Sequence, residues 1–414
     1  MVRSVKAAVI GGGAAGMAAA ISVCRRLGKG NAVILEKQSK IGRKLLATGN
    51  GRCNIGNIHP DAAHYHGDTA IIDAVLNRYN AGKAKRFYTS MGLLLREDSE
   101  GRLYPYSNRA ETVLDCLRME LHTQSVDIYC NAFVQDIHKD NNGFLLRTNE
   151  QTIHAEYLIF AAGSQAAPSL GADDSGYRLL ESLGIHPTPL FPSLCPIPCQ
   201  ERYPVLKGVR AKCQAALYGD NRLINTQQGE VQFTDNGLSG ICIFNLSRYV
   251  NAVMSGRRID GSSCRCLTIS LDLMPEYHEE DMVRYLRQCR KLFGNEDVRL
   301  LLSAALDKKL AAALADYSGI RHTRCGNLTE QQLQHLAKCI KQFNFTPKQS
   351  TSYQNAQVSG GGFDCKTVDP QTLMCRKVKN LFVCGELLDA DGECGGYNLH
   401  FVFGSGILAA DSVK

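Results

Sequence analysis

No stretch of this 414-residue chain approaches the ~18 consecutive apolar residues that a membrane-crossing helix needs. The apolar run nearest the N-terminus, Ala7 to Ile10, stops at glycine, and no hydrophobic segment with a small-residue cleavage site precedes it. The expectation is a cytoplasmic protein with no membrane partner. Cysteine is plentiful, at 17, yet no two stand in a CxxC pair; the nearest approach is Cys264-Arg265-Cys266. That spacing argues against a metal site, and the odd count argues against a closed disulfide framework, so no metal and a reducing compartment are expected. There is no run of five or more like charges, and the net charge of +7 is modest for the length. On charge alone a nucleic-acid partner is a minority reading, and none is expected. No internal repeat stands out, and the length is too great for one hydrophobic core, so two or three lobes are expected.

What is present is glycine, 38 of 414, concentrated in a few short stretches. The first follows a strand pattern: Val5 to Ile10 is apolar and β-branched, Gly11 to Gly16 breaks it, and Ala14 to Leu27 is alanine-rich with helical spacing. A second apolar strand, Ala32 to Leu35, ends in Glu36. Gly11-x-Gly13-x-x-Gly16 between strand and helix, with an acid ending the next strand, is a dinucleotide-binding signature. Its glycines let a pyrophosphate approach the helix N-terminus, where amides and dipole favour negative charge. Glu36 then suits a ribose diol.

Further along, Ile72, Val75, Leu76 and Tyr79 give helical spacing, interrupted by RLYPY at 102–106. From Val126 the pattern turns to strands, with Asp140-Asn141-Asn142-Gly143 as a hairpin turn. YLIFAAG at 157–163 is an apolar strand ending in small residues. Pro187, Pro189, Pro192, Pro196 and Pro198 mark a domain boundary. A strand-rich stretch follows to about residue 274, then helices over 279–342, including a capping box of Thr329 and Gln332. The basic helical positions Arg284, Arg287, Arg290 and Lys291 read as a solvated face. After Ser350 glycine returns, with LFVC at 381–384, Gly385-Glu386, and an apolar helix too short to span a bilayer.

GRKLLATGNGRCN at 42–54 is open to four readings on its own: a phosphate clamp, a redox thiol, a nucleic-acid contact or a solvated loop. Together with PSLCPI at 192–197, QFTDNGLSG at 232–240 and GELLDADGECGGYNLHFVFGSG at 385–406, it resembles the aminoacetone oxidase-type, NAD(P)/FAD-dependent flavoproteins, a family that includes bile-acid dehydro-intermediate reductases. The likeness covers essentially the whole chain. It implies an α/β fold: a discontinuous Rossmann-like FAD-binding domain, 1–192 and 350–414, with an inserted β-rich, barrel-like substrate domain at 193–277 and a helical subdomain at 278–349.

Carried over by that resemblance, Gly11, Gly13, Ala14, Ala15 and Gly16 bind pyrophosphate, and Glu36 and Lys37 the ribose end. Arg43, Lys44, Thr48, Gly49, Asn50, Gly51, Arg52, Cys53 and Asn54 flank the flavin. Val134 meets the adenine, with Ala162 and Gly163 in the turn beneath it. Gly385, Glu386, Gly395, Gly396, Tyr397, Asn398 and Leu399 make the C-terminal flavin contacts. His400 stands where the family usually has Gln, Asp235 where it often has His or Glu, and Cys375-Arg376-Lys377 where it has Glu-Ser-Lys.

The resemblance implies FAD, with NAD(P)H as a transient hydride donor, since no second strong GxGxxG appears. The implied reaction passes hydride from NAD(P)H through flavin N5 to a small organic substrate, an activated C=C of the enone type. The alternatives are an FAD-dependent amine or aminoacetone oxidase using O2, and a flavin-bearing RNA-binding or RNA-modifying protein. Three residues are candidates for catalysis. Cys53 is either a packed thiol or a thiolate activated by Arg52, and no second cysteine between residues 25 and 115 gives it a relay partner. Tyr397 can donate a proton to an enolate. His400 is either a general acid–base or a helix-start histidine satisfied by backbone.

Overall fold

The computed structural model of the protein describes residues 3–257, 264–350 and 352–414. The runs read as strands pair into one parallel core. Arg3–Ile10 lies between Ala32–Leu35 and Thr152–Phe160, and the order continues outward to Asp127–Tyr129 on one side. The outer edge of Thr152–Phe160 is shared. Its first half pairs antiparallel with Phe144–Thr148, and its last residues pair in parallel with Leu381–Val383. Register lines up Leu35, Ile10, Phe160 and Val383 in one row. Ala32–Leu35 is buried at all four positions, as a strand covered on both faces must be.

Helix Ala14–Leu27 leaves the first strand and packs against the C-terminal helix Tyr397–Asp411. Small residues set that contact: a Cβ on Gly406 would fall 2.3 Å from the Ala15 carbonyl oxygen. Among the described residues no helix is long and apolar enough to cross a membrane. The DNNG turn forms as expected, with the Asp140 N–H donating to the Gly143 carbonyl at 3.0 Å. RLYPY contributes a strand, Arg102–Pro105, to a small three-stranded sheet rather than merely breaking helices.

The chain divides into two compact units, Met1–Pro192 with Tyr353–Lys414, and Ser193–Ser352. The second is built on a six-stranded antiparallel sheet in the order Ile197–Pro198, Gly237–Ser239, Arg222–Phe233, Arg210–Gly219, Leu267–Asp272, Phe343–Phe345. The sheet closes on itself past its ends: the Gln200 N–H donates to the Thr346 carbonyl at 2.9 Å and the Lys348 N–H to that of Pro198 at 2.7 Å. The implied barrel-like insert is thus closed by hydrogen bonds between its first and last strands.

The helical stretch expected at 278–349 is not a core of its own. Leu286, Leu314 and Leu336 share one apolar cluster with Leu271 and Phe345, and Phe343–Phe345 completes the sheet. The helices pack on one another, Glu330–Lys341 against Glu279–Leu292 and Lys308–Tyr317 against Val298–Ser303, as well as on the sheet, so a single core serves both layers. The Thr329/Gln332 capping box is present. On the basic helix Glu279–Leu292, Arg284 pairs with Asp281 and Arg287 with Glu330, so its charge is largely met from its own unit.

Candidate functional site

Parallel strands leave a crevice at their carboxyl ends, and the turns carrying Gly11, Glu36, Gly163 and Gly385 follow the ends of Arg3–Ile10, Ala32–Leu35, Thr152–Phe160 and Leu381–Val383. Gly11 follows Ile10 with φ +104°, and a Cβ on it would lie 2.4 Å from the Ala161 carbonyl oxygen. A Cβ on Gly16 would lie 1.9 Å from the Gly11 carbonyl oxygen, so helix and turn touch backbone to backbone. Gly13 differs: a Cβ there would meet nothing within 4 Å. It is the N-cap of Ala14–Leu27, with no capping side chain and no acid in the first turn. A turn closed on its inner side, open at Gly13 and backed by an uncapped helix start fits a pyrophosphate.

Glu36 is 9% exposed, and both carboxylate oxygens take backbone amides, Oε2 from Gly12 and Oε1 from Gln38, each at 2.7 Å. Each oxygen keeps a further lone pair for a ribose hydroxyl. The Ala132 N–H donates to the Glu36 carbonyl at 2.9 Å, which brings the segment leading to buried Val134 to the ribose end. Lys37 is already engaged, its Nζ 2.5 Å from Asp173 Oδ1.

The basic loop is less free than its composition suggests. Arg43 donates to Gln38 Oε1 at 2.6 Å, and the Arg52 guanidinium lies 5.2 Å from the Tyr104 ring centroid. Lys44 Nζ is 2.6 Å from Glu386 Oε2, which also accepts from Ser164 Oγ at 2.8 Å. This knot ties the ends of three chain segments together: the loop, the turn after Ala162 and Gly163, and the Gly385-Glu386 turn, where the Gly385 N–H donates to Ser405 Oγ at 2.9 Å. Thr48 Oγ1 donates to the Leu45 carbonyl at 2.7 Å. Gly49, Asn50, Gly51 and Cys53 all have φ between 55° and 80°. For Asn50 and Cys53 that left-handed backbone costs about 1 kcal/mol each. Asn54 links the loop to the C-terminal motif. In the amide orientation its neighbours require, it donates to the carbonyls of Gly56 (2.9 Å) and Leu103 (3.2 Å) and accepts the Gly396 N–H at 3.0 Å. Asn398 folds back on its own turn, donating to the Gly392 carbonyl at 2.6 Å and accepting its N–H at 2.8 Å, and Leu399 is half-buried beside it.

Two of the three catalytic candidates are corrected. Cys53 is 0% exposed, and burial pushes its thiol up to about 12, so at neutral pH it is neither a thiolate nor in reach of a ligand. It packs, and Arg52 does not activate it. Alanine at Cys53 is expected to keep FAD bound with stability lowered by about 1 kcal/mol; in the native protein a thiol reagent should leave Cys53 unlabelled at pH 8, checked by mass spectrometry of peptides. His400 is also 0% exposed, its Nε2 2.7 Å from the Tyr79 carbonyl oxygen, and burial drives its pKa down to about 4. A neutral, sealed imidazole is no general acid for a substrate. Tyr397 keeps a proton to give: burial and the nearby Glu393 raise its pKa, so it stays an O–H donor.

Sequence reasoning missed Ser164, and it missed His64 with Glu393. The His64 ring stacks on Tyr397 at 4.4 Å between centroids and 17° between planes, and its Nδ1 is 3.0 Å from Glu393 Oε2. The signal available was HYHG at 64–67, two histidines in a short strand pattern. Among the described residues no group of three or more His, Cys, Asp or Glu is placed to hold a metal ion.

Comparison with known proteins adds three findings. The family described as HI0933-like protein Rossmann domain matches residues 5–412. The chain is 36% identical over 411 residues to a 3-dehydro-bile acid delta(4,6)-reductase of Clostridium scindens, covering 97% of each, and 26% identical to a ribosomal RNA dihydrouridine synthase of Haemophilus influenzae, covering 98% of each. Its fold is similar to the crystal structure of 3-ketosteroid delta1-dehydrogenase from Sterolibacterium denitrificans, with a TM-score of 0.51 at 13% identity over 100% of this chain and 99% of that one.

Proposed function

This chain belongs to the HI0933-like Rossmann-domain family and is an FAD-dependent oxidoreductase, and from that premise we propose that it reduces a carbon–carbon double bond conjugated to a carbonyl in a steroid-like substrate, with NAD(P)H as hydride donor. The observation that carries the reading is 36% identity, end to end, with a relative named for reduction at delta(4,6) of a 3-dehydro bile acid. The second relative's name points the same way in chemistry, since dihydrouridine is uridine with a conjugated double bond reduced. That similarity supports one further reading, the same reduction on a uracil ring in RNA; it ranks second because the identity is 26%.

Bound FAD supplies the hydride transfer. The chain's residues do the rest. The uncapped start of Ala14–Leu27 and the open side of Gly13 take the pyrophosphate. Glu36 takes the ribose, and the Lys44–Glu386–Ser164 knot holds the strand ends in register around the cofactor. Tyr397 presents an O–H donor at the head of the C-terminal helix, where it stabilises charge developing on the substrate oxygen. With one dinucleotide signature in the chain, NAD(P)H visits the substrate side and leaves. Among the described residues no two cysteines are joined in a disulfide, which supports a reducing, cytoplasmic setting.

Anaerobic stopped-flow tests the reading. NADH or NADPH is expected to bleach the flavin in a single turnover, and a 3-oxo-Δ4,6 bile acid to restore its colour. No bleaching by either nucleotide at millimolar concentration sinks the NAD(P)H-linked version. Reoxidation by an rRNA fragment and not by the steroid transfers the reading to RNA, and peroxide formed from aminoacetone in air transfers it to an oxidase.

A further inference from the structure

We propose that His64 is the catalytic residue that protonates the substrate carbon, with Glu393 as its positioning residue. The inference rests on the reductase reading and deepens it. Reduction of a conjugated double bond needs a proton as well as a hydride; of the two residues first suited to supply it, His400 is sealed from solvent and Tyr397, 7% exposed, serves the substrate oxygen in that reading. The His64 side chain is 38% exposed, so a substrate can reach it.

The histidine is held from several directions. A short turn, Ala62–His64, is capped by Asp61, whose Oδ1 accepts from the Ala63 N–H at 2.8 Å. The next strand, Tyr65–Gly67, pairs antiparallel with Ala390–Gly392, and the Glu393 N–H donates to the His64 carbonyl at 2.9 Å. Backbone and side chain of Glu393 therefore both engage His64. On the other side Tyr397 covers one face of the imidazole, and it is itself fixed by Tyr65, whose hydroxyl donates to the Tyr397 carbonyl at 2.9 Å. Gly396, next to Tyr397, is bound by Asn54 at the end of the GNGRCN loop. The dyad is thus stitched to both motifs that line the proposed flavin site.

The carboxylate decides which nitrogen does the work. Glu393 Oε2 accepts Nδ1–H, which leaves Nε2, with no partner among the described residues, as the nitrogen that carries the transferable proton. In the reduction, hydride originating in NAD(P)H adds with its electron pair to the β-carbon, and the double-bond electrons move toward the carbonyl. The Nε2–H bond of the imidazolium then breaks as the α-carbon–H bond forms, and the pair of that N–H bond stays on Nε2. The substrate gains one hydride and one proton, NAD(P)H becomes NAD(P)+, and a proton taken from bulk solvent restores the imidazolium, so each turnover consumes one NAD(P)H and one solvent proton.

The holoenzyme tests this with its two half-reactions taken separately. His64→Gln is expected to bleach with NAD(P)H but to be reoxidised by a 3-oxo-Δ4,6 bile acid ~100-fold more slowly than wild type, the scale of a lost general acid. Glu393→Gln is expected to slow the same step ~10-fold, and in nitrogen-15 spectra of histidine-labelled protein to shift the His64 ring signals away from the Nδ1–H tautomer. Reoxidation of His64→Gln at the wild-type rate overturns the proposal. Should that variant fail to fold, Glu393→Gln with rate and His64 signals both unchanged overturns it equally. A wild-type enzyme that is reduced by NAD(P)H but never reoxidised by the steroid defeats the reductase reading itself, and is told apart because it appears before any substitution is made.

Discussion

Alanine at Gly16 is expected to yield a protein that no longer retains FAD on gel filtration and that melts at lower temperature even when stripped. The added Cβ would sit 1.9 Å from the Gly11 carbonyl oxygen, with Gly11 carbon at 3.1 Å and Val9 Cγ1 at 3.3 Å. None of these is the free end of a flexible chain, so helix Ala14–Leu27 must lift off the turn. Gly11 cannot retreat, because its own Cα face is closed by the Ala161 carbonyl. Overpacking of this kind costs about 3 kcal/mol, which, if borne by the binding-competent turn, is a loss of affinity of more than ~100-fold. Gly13→Ala is the informative control. Its φ is −78° and its Cβ would meet no protein atom within 4 Å, so the apoprotein should melt as wild type. The methyl group fills the side of the turn that faces the phosphates, so FAD affinity should still fall. Equal effects of the two substitutions on apoprotein stability would refute this division of the turn into a closed wall and an open mouth.

That division also marks what the amino-acid sequence discloses and what it hides. The strand–glycine–helix signature and Glu36 are legible because their interactions span a short loop and the next strand, so spacing alone carries the geometry. The return of Gly385-Glu386 to the same sheet is legible through resemblance, and the parallel pairing of Leu381–Val383 with Leu158–Phe160 realises it. Ser164 is invisible because its role exists only once Lys44 and Glu386 meet it in space. The barrel closes through backbone groups of residues 198–200 and 346–348, which leave no trace in side-chain pattern. Cys53 and His400 mislead for one reason: they sit inside functional motifs, and proximity in sequence to a binding loop says nothing about which way a side chain turns. His64 and Glu393 are the converse, chemically apt residues more than three hundred positions apart, joined by a two-strand pairing.

His400 carries the second large effect, on stability against pH. The folded protein keeps this imidazole neutral down to about pH 4, because burial removes water from the charged form and Tyr79 takes only the Nε2–H. In the unfolded chain the same group protonates near its ordinary value of about 6.5. Between these values the unfolded state binds the extra proton, so acid favours unfolding and stability rises with pH across the window. The full contribution is about 3 kcal/mol, of which about 2 kcal/mol is already lost at pH 5. Glutamine, the residue the resemblance leads one to expect here, has an amide that can still donate to the Tyr79 carbonyl and has nothing to titrate. His400→Gln is therefore expected to match wild type within about 1 kcal/mol at pH 7.5 and to exceed it by about 2 kcal/mol at pH 5 in urea melts. Other groups titrate in the same range, but they are common to both proteins and cancel in the difference. His400 also leaves Nδ1 buried without a partner among the described residues, facing Gly56, where a Cβ would come within 3.1 Å. That orphaned acceptor is the natural place for the extra proton, and the position cannot rehydrate it without opening the helix Tyr397–Asp411. Parallel stability curves for the two proteins from pH 7.5 to 5 would mean that His400 is protonated in the folded state, and would return it to the list of acids able to serve the reaction.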